Sequence, residues 1–226
     1  MDEAQQVRDD GRDLAVLDRL DRLYVAVVSD CLDRMGIRGN VMQPHIRPLF
    51  PSRMAGFALT VQAVAVDAVP TDRAQWYAGE IAAVDSQQVG DVMVVSTCPG
   101  SYWGELLATA SRARGARGIV ADCYTRDVRA LQEMGYPTFV AGVCAQDSLG
   151  RIDVTDIGGT IQCGGVELKR GDLVLADEDG IVTVPADVAD EVLSLAEEKV
   201  ATEDVVRTKL ADGVAVRDVF AAHGVL

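Results

Sequence analysis

The stretch DVMVVSTCPGSYWGELLATASRARGARGIVADCYTRD, residues 91–127, decides the fold. Its first part, 91–97, reads as one continuous strand with an apolar run over 92–95. The loop Cys98-Pro-Gly-Ser-Tyr-Trp103 follows, and GELLATASRAR from Gly104 reads as a helix closed by Gly115. GIVAD, 118–122, is the next buried strand, and a short helix is expected over 128–134. Strand, loop, helix, strand, loop, helix predicts parallel neighbours joined by a right-handed crossover. Ligands of such units sit beyond the carboxyl ends of the strands. Any site therefore falls in the loops at 98–104 and 122–127.

Upstream, Leu14, Leu17, Leu20 and Leu23 recur at helical spacing over 13–23, and a second helix is expected over 27–35, ended by Gly36. Residues 36–52 read as irregular because Pro44, Pro48 and Pro51 interrupt them. A Val-, Ala- and Thr-rich strand spans 55–66, and one helix is expected over 72–86. Downstream of 137–142 the pattern changes to short strands at 159–163, 166–168, 172–177 and 180–184, with Asp179-Gly180 as a hairpin turn. A long charged helix over 186–210 carries Val188, Val192, Leu195 and Ala196 on one face, with little obvious core of its own to cover. A last short helix spans 216–222. The whole is read as α/β, one domain over 1–226, with a core of about 25–185 and helices over 186–226.

Composition narrows the partners. The 226 residues hold 35 Asp and Glu against 21 Lys and Arg, a formal charge of −14. Such a surface repels phosphate backbones and anionic membranes, so neither nucleic acid nor membrane is expected as a partner. An anionic substrate would need a local cation, an arginine or a metal. Cys31, Cys98, Cys123, Cys144 and Cys163 form no C-x-x-C pair and are odd in number, which suits buried thiols in a reducing cytoplasm. The residues after Met1 are charged and Gln-rich with no apolar leader core, and no apolar run reaches membrane-span length.

The histidines, His45 and His223, lack a ligand-spaced companion, which disfavours a zinc site or a Ser-His-Asp triad. No G-x-G-x-x-G, Walker A or G-x-S-x-G pattern occurs. The segment Asp122-Cys-Tyr-Thr-Arg126-Asp127 is different. An arbitrary Arg-Asp pair is usually a helix cap beside a surface arginine. Here the pair follows a buried strand at the mouth of a parallel sheet, and Glu105 opens the preceding helix. The backbone N–H groups of Gly104, Glu105, Leu106 and Leu107 make a natural carboxylate site. A carboxylate for a metal, a cation and an anion-binding helix start suit a 2-oxo dicarboxylate. No lysine falls in either loop, which disfavours Schiff-base chemistry.

The spacing of Glu105 to Arg126-Asp127, E-x20-R-D, resembles the signature of the 4-hydroxy-4-methyl-2-oxoglutarate aldolase family, also called RraA-like after the regulator of ribonuclease activity A. Further shared pieces are Val28-Ser-Asp30-Cys-Leu32 with Gly36, Gly56-Phe-Ala-Leu-Thr-Val61 and Gly104-Glu-Leu-Leu-Ala108. Gly165-Val166, Arg170-Gly171-Asp172 and Ala176-Asp177-Glu-Asp-Gly180-Ile-Val-Thr-Val-Pro185 complete them, so the likeness covers about 25–210. The resemblance implies an αββα layered sandwich, assembly as a homotrimer or homohexamer with the site at a subunit boundary, and Mg²⁺ or Mn²⁺ held by few protein oxygens. It implies Asp127 as metal ligand, Arg126 on the substrate's carboxylate or carbonyl, Glu105 holding a metal-bound water, and Glu203 of a neighbouring subunit completing the site. The implied activity is aldol cleavage or oxaloacetate decarboxylation through a pyruvate enolate. The alternatives are a non-catalytic regulator of ribonuclease E, or a different metal-dependent lyase on the same site. Two departures bear on the substrate: Glu105 stands where the aldolases usually have Asp, and Asp122-Cys123-Tyr124 where they usually have Asp-Gly.

Overall fold

The computed structural model describes residues 12–225; the segment read as lacking an apolar leader core lies outside them. Helices α1 (Ala15–Leu20) and α2 (Val25–Arg34) come first, and Gly36, at φ 78°, turns the chain out of α2. The strands of the main sheet are β1 (Arg47–Pro48), β2 (Met54–Ala65), β3 (Asp91–Val95), β4 (Ser101–Trp103), β5 (Gly118–Thr125), β6 (Thr138–Val143), β7 (Ile152–Ile157), β10 (Leu173–Ala176) and β11 (Ile181–Val184). A separate hairpin pairs β8 (Ile161–Cys163) with β9 (Val166–Leu168). The remaining helices are α3 (Ala78–Asp85), α4 (Glu105–Ala113), α5 (Val128–Met134), α6 (Ala189–Ala211) and α7 (Val216–His223).

The sheet is mixed, in the order β1-β6-β5-β3-β2-β10-β11. Its centre, β2, β3, β5 and β6, is parallel, as the order of strands and helices requires. β10 and β11 form the antiparallel hairpin expected at Asp179-Gly180. β2 and β3 lie too close for a side chain at Gly56, where a Cβ would come 2.5 Å from the Gly90 carbonyl oxygen. Residues 41–48 join the two edges: Val41 bridges to Val182 on β11, while Arg47 and Pro48 pair with Val140 and Phe139 on β6. The sheet thus curls into a flattened barrel.

Alternation along the strands sorts the core. Val92, Val94, Val120, Phe139, Val174 and Ala176 point into the barrel, where Ile161, Cys163, Val166 and Leu168 of the hairpin fill it. On the outer face, Met93, Val95, Ile119 and Ala121 pack against α3, α4 and α5. Phe57, Leu173, Leu175, Val182 and Val184 pack against α1, α2 and α6. Helices therefore flank both sides of the flattened barrel, the α/β arrangement expected with its αββα layering.

Several local readings are corrected. The helix expected over 72–86 is broken: a 3₁₀ turn at Arg73–Gln75 is followed by α3, because Tyr77 adopts a left-handed conformation, φ 56° and ψ 17°. The irregular 36–52 contains β1, and the loop at 98–103 contains β4, both too short to carry a periodic signal. β7 was not anticipated; it pairs with the far half of β2 through a bulge and mixes exposed Asp153, Thr155 and Asp156 with buried Ile152. The long helix does have a core of its own, since Val192, Leu193 and Ala196 are buried against α1, α2 and the sheet, and Val206 and Val219 are buried where α6 meets α7. No helix among the described residues is long and apolar enough to cross a membrane.

Candidate active site

The expected loops are stitched together by backbone. β4 runs parallel to the end of β5, with Ser101 opposite Tyr124 and Trp103 opposite Thr125. The Trp103 carbonyl accepts from the Arg126 N–H at 3.0 Å and from the Thr125 hydroxyl at 3.1 Å. Gly104 and the start of α4 are thereby set beside Arg126 and Asp127.

Asp127 has φ 60° and ψ 34° and makes no side-chain cap on α5, the helix it precedes. Its Oδ2 instead accepts the Glu105 N–H at 3.1 Å, capping α4, whose own N-cap residue Gly104 has no side chain to do so. A Cβ at Gly104 would lie 2.7 Å from that same Oδ2, so only glycine leaves the carboxylate its place. Leu106 and Leu107, also in the first turn, have no acceptor for their N–H groups within the helix. Leu106 is 79% exposed, and Leu107 packs on the core.

Arg126 lies between two carboxylates, its Nε 3.9 Å from Asp127 Oδ2 and its Nη1 3.3 Å from Asp147 Oδ1. Asp147 gave no signal in the sequence, since it sits in a polar loop beyond β6. The Glu105 carboxylate accepts from the Thr109 hydroxyl at 2.8 Å, one turn along its own helix. Glu203 is not brought to this site within the chain; its carboxylate is taken by the Tyr24 hydroxyl and lies 3.7 Å from Lys199 Nζ. Burial, and next the hydrogen bond the hydroxyl donates to Glu203, push the Tyr24 hydroxyl up to about 12.

His45 does have a companion in space. Its Nε2 lies 2.7 Å from Asp122 Oδ1, although the two are 77 residues apart in the chain. The Thr97 hydroxyl and the Gly164 N–H also donate to Asp122. Burial alone would raise this carboxyl, but the Thr97, His45 and Gly164 bonds outweigh it and hold it below the usual range. Asp122 thus ties three loops together. The other recurrent acids do similar work: Asp172 accepts from Lys169 and Ala186 N–H groups, and Asp177 from those of Val25 and Asp179.

Comparison with known protein families matches residues 25–183 to RraA-like, Aldolase/RraA. The chain belongs to the RraA-like family. It is 28% identical over 191 residues to a Halalkalibacterium halodurans protein named "Putative 4-hydroxy-4-methyl-2-oxoglutarate aldolase", covering 83% of this chain and 84% of that one. Among solved structures, an uncharacterized protein of Pseudomonas syringae pv. tomato superposes with a TM-score of 0.78 at 27% identity, covering 92% of this chain and 97% of that one. Streptomyces coelicolor RraAS2, described as an unusual member of the RNase ES inhibitor RraA protein family, gives 0.73 at 27%, covering 87% and 97%. The RraA-like fold thus carries both an aldolase name and an inhibitor name among this chain's relatives.

Proposed function

We propose that this protein is a divalent-metal-dependent carbon–carbon lyase of a small 2-oxo acid, such as 4-hydroxy-4-methyl-2-oxoglutarate or oxaloacetate. The observation that carries this reading is the Asp127 carboxylate, held in a left-handed turn between the first N–H of α4 and the Arg126 guanidinium. Chains rarely keep a non-glycine residue in that conformation unless the surroundings fix it, and such residues gather at functional sites.

The donor set fits Mg²⁺ or Mn²⁺. Asp127 Oδ2 is engaged by Glu105, which leaves Oδ1 without a donor among the described residues. Among the described residues no group of three or more His, Cys, Asp or Glu could enclose a metal ion. A carboxylate oxygen with water in the remaining positions is a donor set that a hard, strongly hydrated dication accepts. Charge points the same way: Asp127 and Asp147 both face one guanidinium, so an anionic substrate needs a further positive centre. Asp127 would hold the ion, with Glu105 acting on one of its waters. The bound ion would supply Lewis acidity toward the 2-keto oxygen.

Arg126 would bind the substrate's carboxylate and stabilise negative charge developing on the keto oxygen. The Leu106 and Leu107 N–H groups would receive the far carboxylate. Glu105, oriented by Thr109, would position the water that takes the C4-hydroxyl proton. The C3–C4 bond then breaks, its electron pair passes into the pyruvate enolate, and protonation at C3 releases pyruvate. Oxaloacetate loses CO₂ to give the same enolate.

Exposed Leu106, Tyr124 and Val143 stand around the ends of α4, β5 and β6 beside this site. That apolar rim supports assembly as a homotrimer or homohexamer across it. The test of function is pyruvate release from oxaloacetate with Mg²⁺ or Mn²⁺ and after EDTA. Metal-stimulated release supports the lyase. Release at the uncatalysed rate would favour the ribonuclease-regulator reading that likeness to RraAS2 suggests.

A further inference from the structure

We propose that Asp147 and Tyr77 are positioning residues that aim the Arg126 guanidinium at a substrate carboxylate. The proposal takes its substrate class from the lyase reading, but its geometry stands apart. Asp147 Oδ1 lies 3.3 Å from Arg126 Nη1, and Asp147 Oδ2 accepts the Tyr77 hydroxyl at 2.5 Å. Neither contact has hydrogen-bond geometry, so the grip on the guanidinium is electrostatic, with Asp127 on its Nε side and Asp147 on its Nη1 side. An arginine without such a grip spreads over many rotamers, and binding must then select one of them.

The loop that carries Asp147 is itself built in. The Ser148 N–H donates to Asp147 Oδ1 at 2.8 Å, and Arg151 Nη1 donates to the Asp147 carbonyl at 3.1 Å. Ser148 also stands beside the buried Glu80 carboxylate of α3, three residues from Tyr77, where it favours the charged form against burial. The loop thus meets the start of α3 at two points.

Backbone conformation supplies the independent sign. Among the described residues, the non-glycine positions at positive φ are Tyr77 and Asp127. An aromatic residue is a poor occupant of the left-handed region, and a continuous helix over 72–86 would have avoided it. These two residues are the ends of one chain of contacts, Tyr77–Asp147–Arg126–Asp127. Strain of this kind persists where neighbouring interactions over-determine it.

The test uses the full-length protein with saturating Mg²⁺ and three readouts: oxaloacetate kinetics, calorimetric affinity for oxalate as a small dicarboxylate, and a thermal melt. Tyr77→Phe removes one hydroxyl and no charge. It is expected to raise KM and the oxalate Kd about three- to tenfold, leaving kcat within about twofold. Asp147→Asn keeps one acceptor oxygen for the Ser148 N–H and turns the other position into an amide donor facing the Tyr77 oxygen, while removing the charge. Positioning predicts weaker oxalate binding, whereas Asp147 acting only as a negative charge near an anion predicts tighter binding. A lower melting temperature with unchanged oxalate affinity in both variants would make the contact a mere tie between loop and helix, and would overturn the proposal. If the wild-type protein binds oxalate but releases no pyruvate, the lyase reading fails, and weaker oxalate binding by the variants still upholds the positioning role. A wild-type protein that binds no oxalate overturns both.

Discussion

Asp127 caps the helix that begins at Glu105 rather than the helix it precedes, with Oδ2 3.1 Å from the Glu105 N–H. One carboxylate therefore has two roles, holding the start of α4 and facing the proposed metal. Substitutions can separate them. Asp127→Asn keeps an oxygen acceptor and tolerates the left-handed turn. It should retain the wild-type melting temperature while losing turnover and most Mg²⁺ or Mn²⁺ affinity. Asp127→Ala should lose these and about 1 kcal/mol of stability as well, the usual cost of removing a cap. Calorimetric metal titration beside urea unfolding measures both. An Asp127→Asn protein with wild-type metal affinity would remove Asp127 from the metal site.

At Gly104 the backbone is extended and open to any residue, but the space is not. Gly104→Ala would place a methyl 2.7 Å from Asp127 Oδ2. The carboxylate must then move, so metal affinity and the α4 cap should fall together, with about 1–3 kcal/mol of overpacking cost. Paired metal titrations and melts of the variant show whether they do.

Glu105→Gln preserves shape and the reach to Thr109 but removes the charge. If Glu105 positions the water that moves a proton, kcat should fall about 10²–10⁴-fold with little change in KM. Glu105→Asp should be much milder. A glutamate serving only the helix dipole would contribute about 0.3–1 kcal/mol and leave kcat alone. Steady-state oxaloacetate kinetics decides between them.

Glu80 is 3% exposed, and burial raises its carboxyl against the opposing bonds from its own backbone N–H and Ser148. The folded protein then holds this proton more tightly than the unfolded chain does. The stabilisation is complete below the unfolded value near 4.5 and is lost as pH rises through the folded one. Glu80→Gln should therefore be more stable than wild type at neutral pH, with the difference shrinking in acid. Urea midpoints across this range would show it, and parallel curves would refute it.

The central strands and helices were legible because apolar runs and terminal glycines mark them, as at 92–95, Gly104 and Gly115. Arg126, Asp127 and Gly104 could be singled out because strand ends in a parallel sheet place their loops together. Asp147 could not be, since its partners Tyr77 and Arg126 are distant in the chain and its loop has no periodicity. His45 and Asp122 escaped for the same reason. Tyr77 was hidden inside an apparent helix, because a left-handed tyrosine is set by tertiary contacts rather than by local propensity. β7 alternates too weakly, with its acids on the exposed side, to stand out from a loop.

The closure of the barrel by residues 41–48 bears on solubility. Ladder hydrogen-bonding groups left open at the side of a sheet recruit strands from other molecules and seed aggregates. Here both ends of the β1-to-β11 path are joined through Val41, Arg47 and Pro48, and β7, outside that path, carries exposed Asp153 and Asp156. Such charge deters strand addition at β7. Contact between copies should therefore run through side chains rather than strand pairing, and the protein should stay dispersed at concentrations where open-edged sheet proteins precipitate.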